Sequence, residues 1–295
     1  MKRIRIPWLV DIVISEDAAE IESLAQDTNL DRAYANRSIF INGMILNRIR
    51  NILQFDGQPF PTVSPRNAPG RAAEQEALWQ RLGARAALLA EGPDELENLA
   101  TFVRGKGSPS QCGPLVQQVV GGLFAEHFRA TPASWDAALV LDKAPRTMNL
   151  FLVAWWKLTG RVDRARLLLS QMVNGNLAGV HATGVALHNI VKGVNHMRDL
   201  YANSVQRREL SPEEMVNLCL FAPATVVRQP TTSFTTADAR LDPATVVILK
   251  LQSANEKAVN ADVSFLRQTW SRCPAEQWVP ALLKGIWHRA CQMPS

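Results

Sequence analysis

The sequence has no stretch approaching the ~18 uncharged apolar residues that a membrane-crossing helix needs. Its densest apolar run, 150–156, is only seven residues long. A polytopic membrane protein is therefore excluded. Cysteine is scarce: Cys112, Cys219, Cys273 and Cys291 are the only four, and no two form a CxxC pair. That excludes a disulfide framework and makes each a buried thiol by default. Signatures of several large enzyme classes are missing as well. There is no GxGxxG after a strand, no Walker loop, no HExxH and no GxSxG. The five histidines (His127, His181, His188, His196, His288) include no Glu-x-x-His pair for a di-iron site. Glu213-Glu214 and Glu74/Glu76 sit where a solvated helix surface carries acids. Long basic blocks and basic–aromatic alternation are absent, and the net charge of +5 is dispersed, so nucleic acid is not an expected partner. No internal repeat or low-complexity segment is present.

What remains is a chain of ordinary globular composition, 47% hydrophobic and 20% charged over 295 residues. It is long enough to bury a core without staples. The start, MKRIRIPWLVDIVISED, superficially resembles a signal peptide. Asp11 interrupts its apolar run and no small-residue cleavage site follows, so a cytoplasmic protein is expected. The sequon Asn36-Arg-Ser38 would matter only after secretion. The basic residues are 24 Arg and eight Lys, and arginine is the better partner for bidentate carboxylate contacts.

Pattern and punctuation predict a first strand over Ile6–Ser15 and a short helix capped by Ser15. A Pro/Gly-rich loop follows over 54–71. Helices are expected at Arg71–Ala90, Pro93–Arg104, Pro114–Phe128, Ser134–Lys143 and Met148–Leu158. Arg161 to about Tyr201 reads as the longest helical stretch. Ser211-Pro212-Glu213-Glu214 opens another helix. Thr225–Thr236 and Thr245–Leu251 are β-rich, with 241–244 as a turn, and Pro274–Gln292 is the last helix. The expected class is mainly α with a small β portion. Within 161–201, Gly175, Gly179, Ala182 and Ala186 recur at helical spacing, so one face would admit a close neighbour. Glycine costs ~1 kcal/mol against alanine in a helix interior, so two of them want a reason.

Three segments, in order, resemble the cytochrome P450 superfamily. Ala222-Pro-Ala-Thr-Val-Val-Arg228, then Leu241-Asp-Pro-Ala-Thr-Val-Val-Ile-Leu-Lys-Leu-Gln-Ser-Ala-Asn255 and Phe265-Leu-Arg267, are similar to that family's stretch from helix K through its sheet. Ala178-Gly-Val-His-Ala-Thr183 is similar to its oxygen-activating helix. Cys273-Pro-Ala275 is similar to the segment that opens its proximal helix. The resemblance covers roughly residues 165–290 and implies a single, shortened P450-like heme domain over 1–295. The implied cofactor is heme b (iron protoporphyrin IX), with Cys273 as the iron's thiolate ligand. A cysteine before Pro274 would occupy a helix N-cap, where the dipole and free N–H groups favour a thiolate. Cys291 is the alternative, because Gly285-Ile-Trp-His-Arg-Ala-Cys291 also resembles a cysteine loop; it would end a helix, where the dipole opposes a thiolate. Gly179 and Ala182 would lie against the heme plane. Arg228, with Arg81 or Arg85, would pair with its propionates.

Departures from the family pattern refine the expectation. The Glu-x-x-Arg arginine is absent from Glu214-Met-Val-Asn217. The acid–alcohol pair is replaced by His181 and Ala182, with Thr183 following. The glycine-rich loop is reduced to Gln268-Thr-Trp-Ser-Arg272. Proton delivery to dioxygen is thereby weakened, and peroxide or an organic hydroperoxide in place of a reductase is implied. A neutral His181 would handle the peroxide proton, Thr183 belongs to the same segment, and Asn174 would orient a hydroperoxide. The substrate would be an apolar or lipid-like small molecule. Two other readings stay open at this level: a conventional reductase-dependent monooxygenase, and a P450-like module that has lost heme.

Overall fold

The computed structural model describes residues 1–34, 39–90, 94–147, 149–203, 209–257 and 261–292; the sequon at 36–38 lies outside them. In chain order the elements are β1 (Lys2–Ile6), β2 (Val10–Ser15), α1 (Ala18–Gln26), β3 (Leu30–Asp31), α2 (Phe40–Ile52), β4 (Gln54–Phe55) and β5 (Gln58–Pro59). Next come α3 (Arg71–Ala90), α4 (Asp94–Val103), α5 (Cys112–Gly122), α6 (Pro132–Lys143), α7 (Leu150–Leu158), α8 (Arg161–Met172), α9 (Leu177–His181), α10 (Leu187–Ala202) and α11 (Pro212–Cys219). The chain continues through β6 (Val226–Pro230), β7 (Phe234–Thr235), β8 (Arg240–Leu241), β9 (Val246–Leu249), α12 (Leu251–Lys257) and α13 (Ala261–Phe265), and ends in α14 (Val279–Cys291). The protein is mainly α with a small β portion. It divides into two compact units, Met1–Gln75 with Ala222–Cys273 and Glu76–Phe221 with Pro274–Ser295.

The first unit is built on a five-stranded sheet in the order β1-β2-β9-β6-β3. β2 and β9 run parallel, Ile12 opposite Val246 and Ser15 opposite Leu249; the other neighbours are antiparallel. One face is sealed by Val13, Ile21, Leu24, Leu30, Val247, Leu249 and Leu266. On the other face Leu46 and Ile49 of α2 pack with Ile12, Val246 and Ile248. The expected strand Ile6–Ser15 is instead a hairpin: Trp8 takes a left-handed conformation (φ 66°), and the chain folds back so that Ile6 pairs with Val10. The cap of α1 also moves. Asp17 accepts the Glu20 N–H (3.0 Å), while the Ser15 hydroxyl donates to the Glu20 carboxylate (2.5 Å).

The second unit is a helix assembly. α14 packs on α4 and α11, α10 on α5, and α6 on α8. Ser211 and Glu214 form a reciprocal capping box at α11. Gly193 lets α10 approach α11 closely, since a Cβ there would stand 2.3 Å from the Cys219 carbonyl oxygen. The stretch 161–201 is not one helix. α8 ends at Val173, and Asn174 (φ 55°) and Gly175 (φ 74°) turn left-handed. The Gly175 N–H donates to the Ser170 carbonyl (2.8 Å). Asn176 then caps α9 by accepting the Gly179 N–H (2.9 Å), and a π-helical turn, Ala182–Ala186, joins α9 to α10. These breaks take the small-residue series off a single face. The expected helix Pro274–Gln292 begins with a 3₁₀ turn, Pro274–Gln277, and becomes α-helical only at Val279.

Candidate functional site

Three arginines in the first unit surround one indole. The guanidinium carbons of Arg71, Arg32 and Arg228 lie 4.7, 5.4 and 5.5 Å from the Trp270 ring centroid. Arg228 is fully buried in β6, and Arg32 and Arg71 are nearly so. β6 places Arg228, the β3 end places Arg32, and Arg71 is the first residue of α3.

Their hydrogen bonds are mostly to neutral acceptors. Arg228 donates to the Val227 carbonyl (2.9 Å) and the Ser271 hydroxyl (2.7 Å). Arg32 donates to the Thr62 carbonyl (2.5 Å), and Arg71 to the carbonyls of Ser64 (3.3 Å) and Trp270 (3.4 Å). Asp31 attracts all three through space, but its Oδ1 accepts the backbone N–H of Arg32 (2.6 Å) and Arg66 (2.8 Å) instead. The Tyr34 phenol donates to the Val227 carbonyl (3.2 Å). Three buried donors are left with no acceptor among the described residues: Arg228 Nε, Arg71 Nη2 and Trp270 Nε1.

Burial pushes all three guanidiniums down, and their mutual repulsion adds to the effect on Arg71 and Arg228. Arg71 falls to about 10, which leaves it charged at neutral pH. The cluster is thus buried and cationic with unmet donors, an arrangement that favours an anion rich in acceptor oxygens. Cys273, half-buried, ends the same unit; its N–H donates to the Phe265 carbonyl (2.8 Å), and it interacts electrostatically with Arg32. A guanidinium beside a thiol favours the thiolate. Cys273 does not cap an α-helix as expected, because a 3₁₀ turn follows it. Cys291 is exposed at the C-terminal end of α14. Cys112 and Cys219 are buried, and burial pushes both thiols up to about 12.

In the second unit, His181 and Ala182 lie half-buried at the junction of α9 and the π turn. Thr183 is fully buried and donates back to the Gly179 carbonyl (2.7 Å), while its own carbonyl accepts from Gln117 Nε2 (3.0 Å). Gly179 abuts Phe124 and Val173, where a Cβ would meet atoms at 3.0–3.1 Å. Asn174 is exposed. Arg81, also exposed, donates to the Phe124 carbonyl (2.7 Å), and Arg85 is half-buried in the same helix. Arg32, Arg71 and Trp270 were not reached from the sequence. One signal was available: Arg71 is a cation at a helix N-terminus, where the macrodipole disfavours it.

No protein-family model matches the chain, and no curated protein does. Solved structures do. CYP175A1 from Thermus thermophilus aligns over 98% of this chain and 83% of its own, with a TM-score of 0.62 and 14% identity. The P450 RauA, solved with a biosynthetic intermediate of aurachin RE, aligns over 98% and 85% at a TM-score of 0.59 and 13% identity. The chain has the cytochrome P450 fold. A third P450-fold structure, the mycinamicin VIII C21 methyl hydroxylase MycCI from Micromonospora griseorubida, aligns over 97% and 84% at a TM-score of 0.57 and 10% identity. These P450 structures are longer than this chain.

Proposed function

We propose that the protein is a heme-thiolate oxidoreductase acting on an apolar small molecule. The observation that carries this is the Arg32–Arg71–Arg228 cluster with its three orphaned buried donors. Two propionates would supply the missing acceptors. Cys273, beside Arg32, would supply the axial thiolate. The P450 fold supports the same reading, as do the molecules bound in the RauA and MycCI structures, and the resemblance implies a propionate partner at Arg228. The residues present therefore fit heme b. When bound, it would supply cleavage of an O–O bond and transfer of its oxidising power to the substrate, which the thiolate favours.

The chain's own residues have separable tasks in this reading. Arg228, Arg71 and the Trp270 indole N–H hold the carboxylates, and Ser271 holds Arg228 in place. Arg32 lies in electrostatic contact with Cys273. His181, which the resemblance puts where the family usually keeps an acid, is the group proposed to take up a peroxide proton and return it. His181 and Ala182 in place of the family's acid–alcohol pair weaken proton delivery to dioxygen and favour peroxide or a hydroperoxide as oxidant. The test is turnover of an apolar substrate with hydrogen peroxide alone, then with a surrogate reductase and NADPH. Activity with peroxide alone supports the proposal, and activity only in the second assay would assign the conventional monooxygenase instead.

A further inference from the structure

The second unit carries an apolar helix face that the candidate site does not use. Helix α7 (Leu150–Leu158) has one charged residue, Lys157. At ~100° per residue its side chains divide between two faces. Leu152, Val153 and Trp156 share the inner face, where Trp156 is buried and α7 rests on α8. Phe151, Ala154, Trp155 and Leu158 share the outer face, at i, i+3, i+4 and i+7. Phe151 is 90% exposed, Trp155 58% and Leu158 82%. A helix that is apolar all round belongs in a setting that buries it all round, and these exposures leave the outer face uncovered.

The outer face is complementary to itself. When two α7 helices are set antiparallel about a twofold axis between residues 154 and 155, positions equidistant from the axis stand opposite each other. Phe151 of each copy then meets Leu158 of the other at both ends. At the centre the two Trp155 rings meet on one side, and the two Ala154 on the other are small enough to let the helices close in. Lys157 falls level with Leu152 of the second copy, its stem on apolar surface and its ammonium in water. The rim agrees with such a partner. Residues 132–172 contain three acids, and each is ion-paired within the chain: Asp136 with Arg161 (3.1 Å), Asp142 with Arg146, and Asp163 with Arg166 (2.9 Å). Of the other cations, Lys143 and Arg164 are solvent-exposed on the neighbouring helices. Pairs closed within one chain ask no charge of a partner, and the exposed Asp136 and Asp163 would oppose anionic headgroups. A buried aromatic removes roughly 150–250 Å² from water, so the four aromatics and two leucines of the pair bring together on the order of 900 Å² of apolar surface, most of the ~1,200 Å² at which specific interfaces begin. That area suits a concentration-dependent dimer rather than an obligate one. We infer that the protein pairs with a second copy of itself through the Phe151–Trp155–Leu158 face of α7, antiparallel about a twofold axis.

Sedimentation equilibrium of the full chain across a range of concentrations tests this, and a reversible monomer–dimer equilibrium is expected. Phe151→Glu and Leu158→Lys each place an unpaired charge in the apolar interface, so each should weaken the dimer about tenfold or more. The double variant should recover it. Positions 151 and 158 are two turns apart within one chain and face each other only across the antiparallel pair, so recovery reads the register as well as the face. Circular dichroism should stay unchanged in all three variants, because both side chains are exposed. A protein monomeric at every concentration would overturn the inference, as would a dimer indifferent to the single substitutions or a double variant no tighter than either of them. A monomer that sediments instead with phosphatidylglycerol vesicles, and fails to do so as Trp155→Ser, would also overturn it and assign the face to lipid.

Discussion

At the scale of single residues, the arginine cluster sets the sharpest expectations. If the proposed reading holds, Arg228→Leu removes a donor meant for a heme carboxylate from a fully buried site, and heme retention should fall by roughly ten- to a hundredfold, the equivalent of ~1.5–3 kcal/mol. Trp270→Phe keeps the ring beneath the guanidiniums but deletes the indole N–H, and a smaller loss of heme affinity isolates that donor. Equilibrium heme transfer to a competing apoprotein reads both. The pH dependence has a definite sign. Burial lowers Arg71 from its ordinary value of 12.5 to about 10 in the unliganded protein. The folded state therefore carries a penalty for the charged form below that pH and sheds it as pH rises through 10. Heme affinity moves the other way: it is fully present below about 10 and declines above, and Arg71→Leu should flatten that decline. On the other unit, His181→Ala should lower peroxide-driven turnover by ~10²-fold or more; an unchanged rate would return His181 to a packing role.

Secondary elements show what the sequence made legible and what it did not. Helices with strong formers and caps were read nearly to the residue, such as Arg71–Ala90 and the box that opens at Ser211. Helix α2 was missed because Asn42, Gly43, Asn47 and Asn51 are poor helix formers and Ile39 offers no side-chain cap. Packing of Leu46 on the sheet and the buried bonds of Asn42 decide it instead, and neither is local information. The break at Asn174-Gly175 was written in the glycine but masked by apolar periodicity on both sides. Arg228 was legible because a charged residue inside an apolar strand needs a reason; Trp270 and Arg32 were not, because the pair is 238 positions apart in the chain. Two predictions belong to this scale. Gly193→Ala forces a Cβ against the Cys219 carbonyl, so it should cost about 1–3 kcal/mol, read as a lowered midpoint in denaturant. His188 is the second. It is held neutral by burial, with its ring against Trp135 and Nε2 bonded to the Ala138 carbonyl (3.1 Å). Its folded pKa lies below the unfolded 6.5, so the unfolded state takes up the proton first and stability falls as pH drops through 6.5. His188→Phe should remove that part of the acid sensitivity in urea titrations at a series of pH values.

For the whole molecule, the notable point is that a P450 fold is held at 10–16% identity to solved structures, with Asn217 where a Glu-x-x-Arg pair would have its arginine. Topology survives because it is carried by distributed features: the parallel β2–β9 pairing that joins residues 12–15 to 246–249, the caps, and the small residue that lets α10 meet α11. Chemistry does not survive in that distributed way. In the proposed reading it rests on Cys273 and on whether the arginine cluster receives a dianion. The most direct measurement is therefore a titration of the purified protein with hemin, followed by the absorption spectrum of its reduced carbon monoxide complex. One heme per chain and a thiolate-type spectrum are predicted, lost in Cys273→Ala and kept in Cys291→Ala. A protein that folds normally yet takes up no heme, or that keeps the thiolate spectrum without Cys273, would contradict the account.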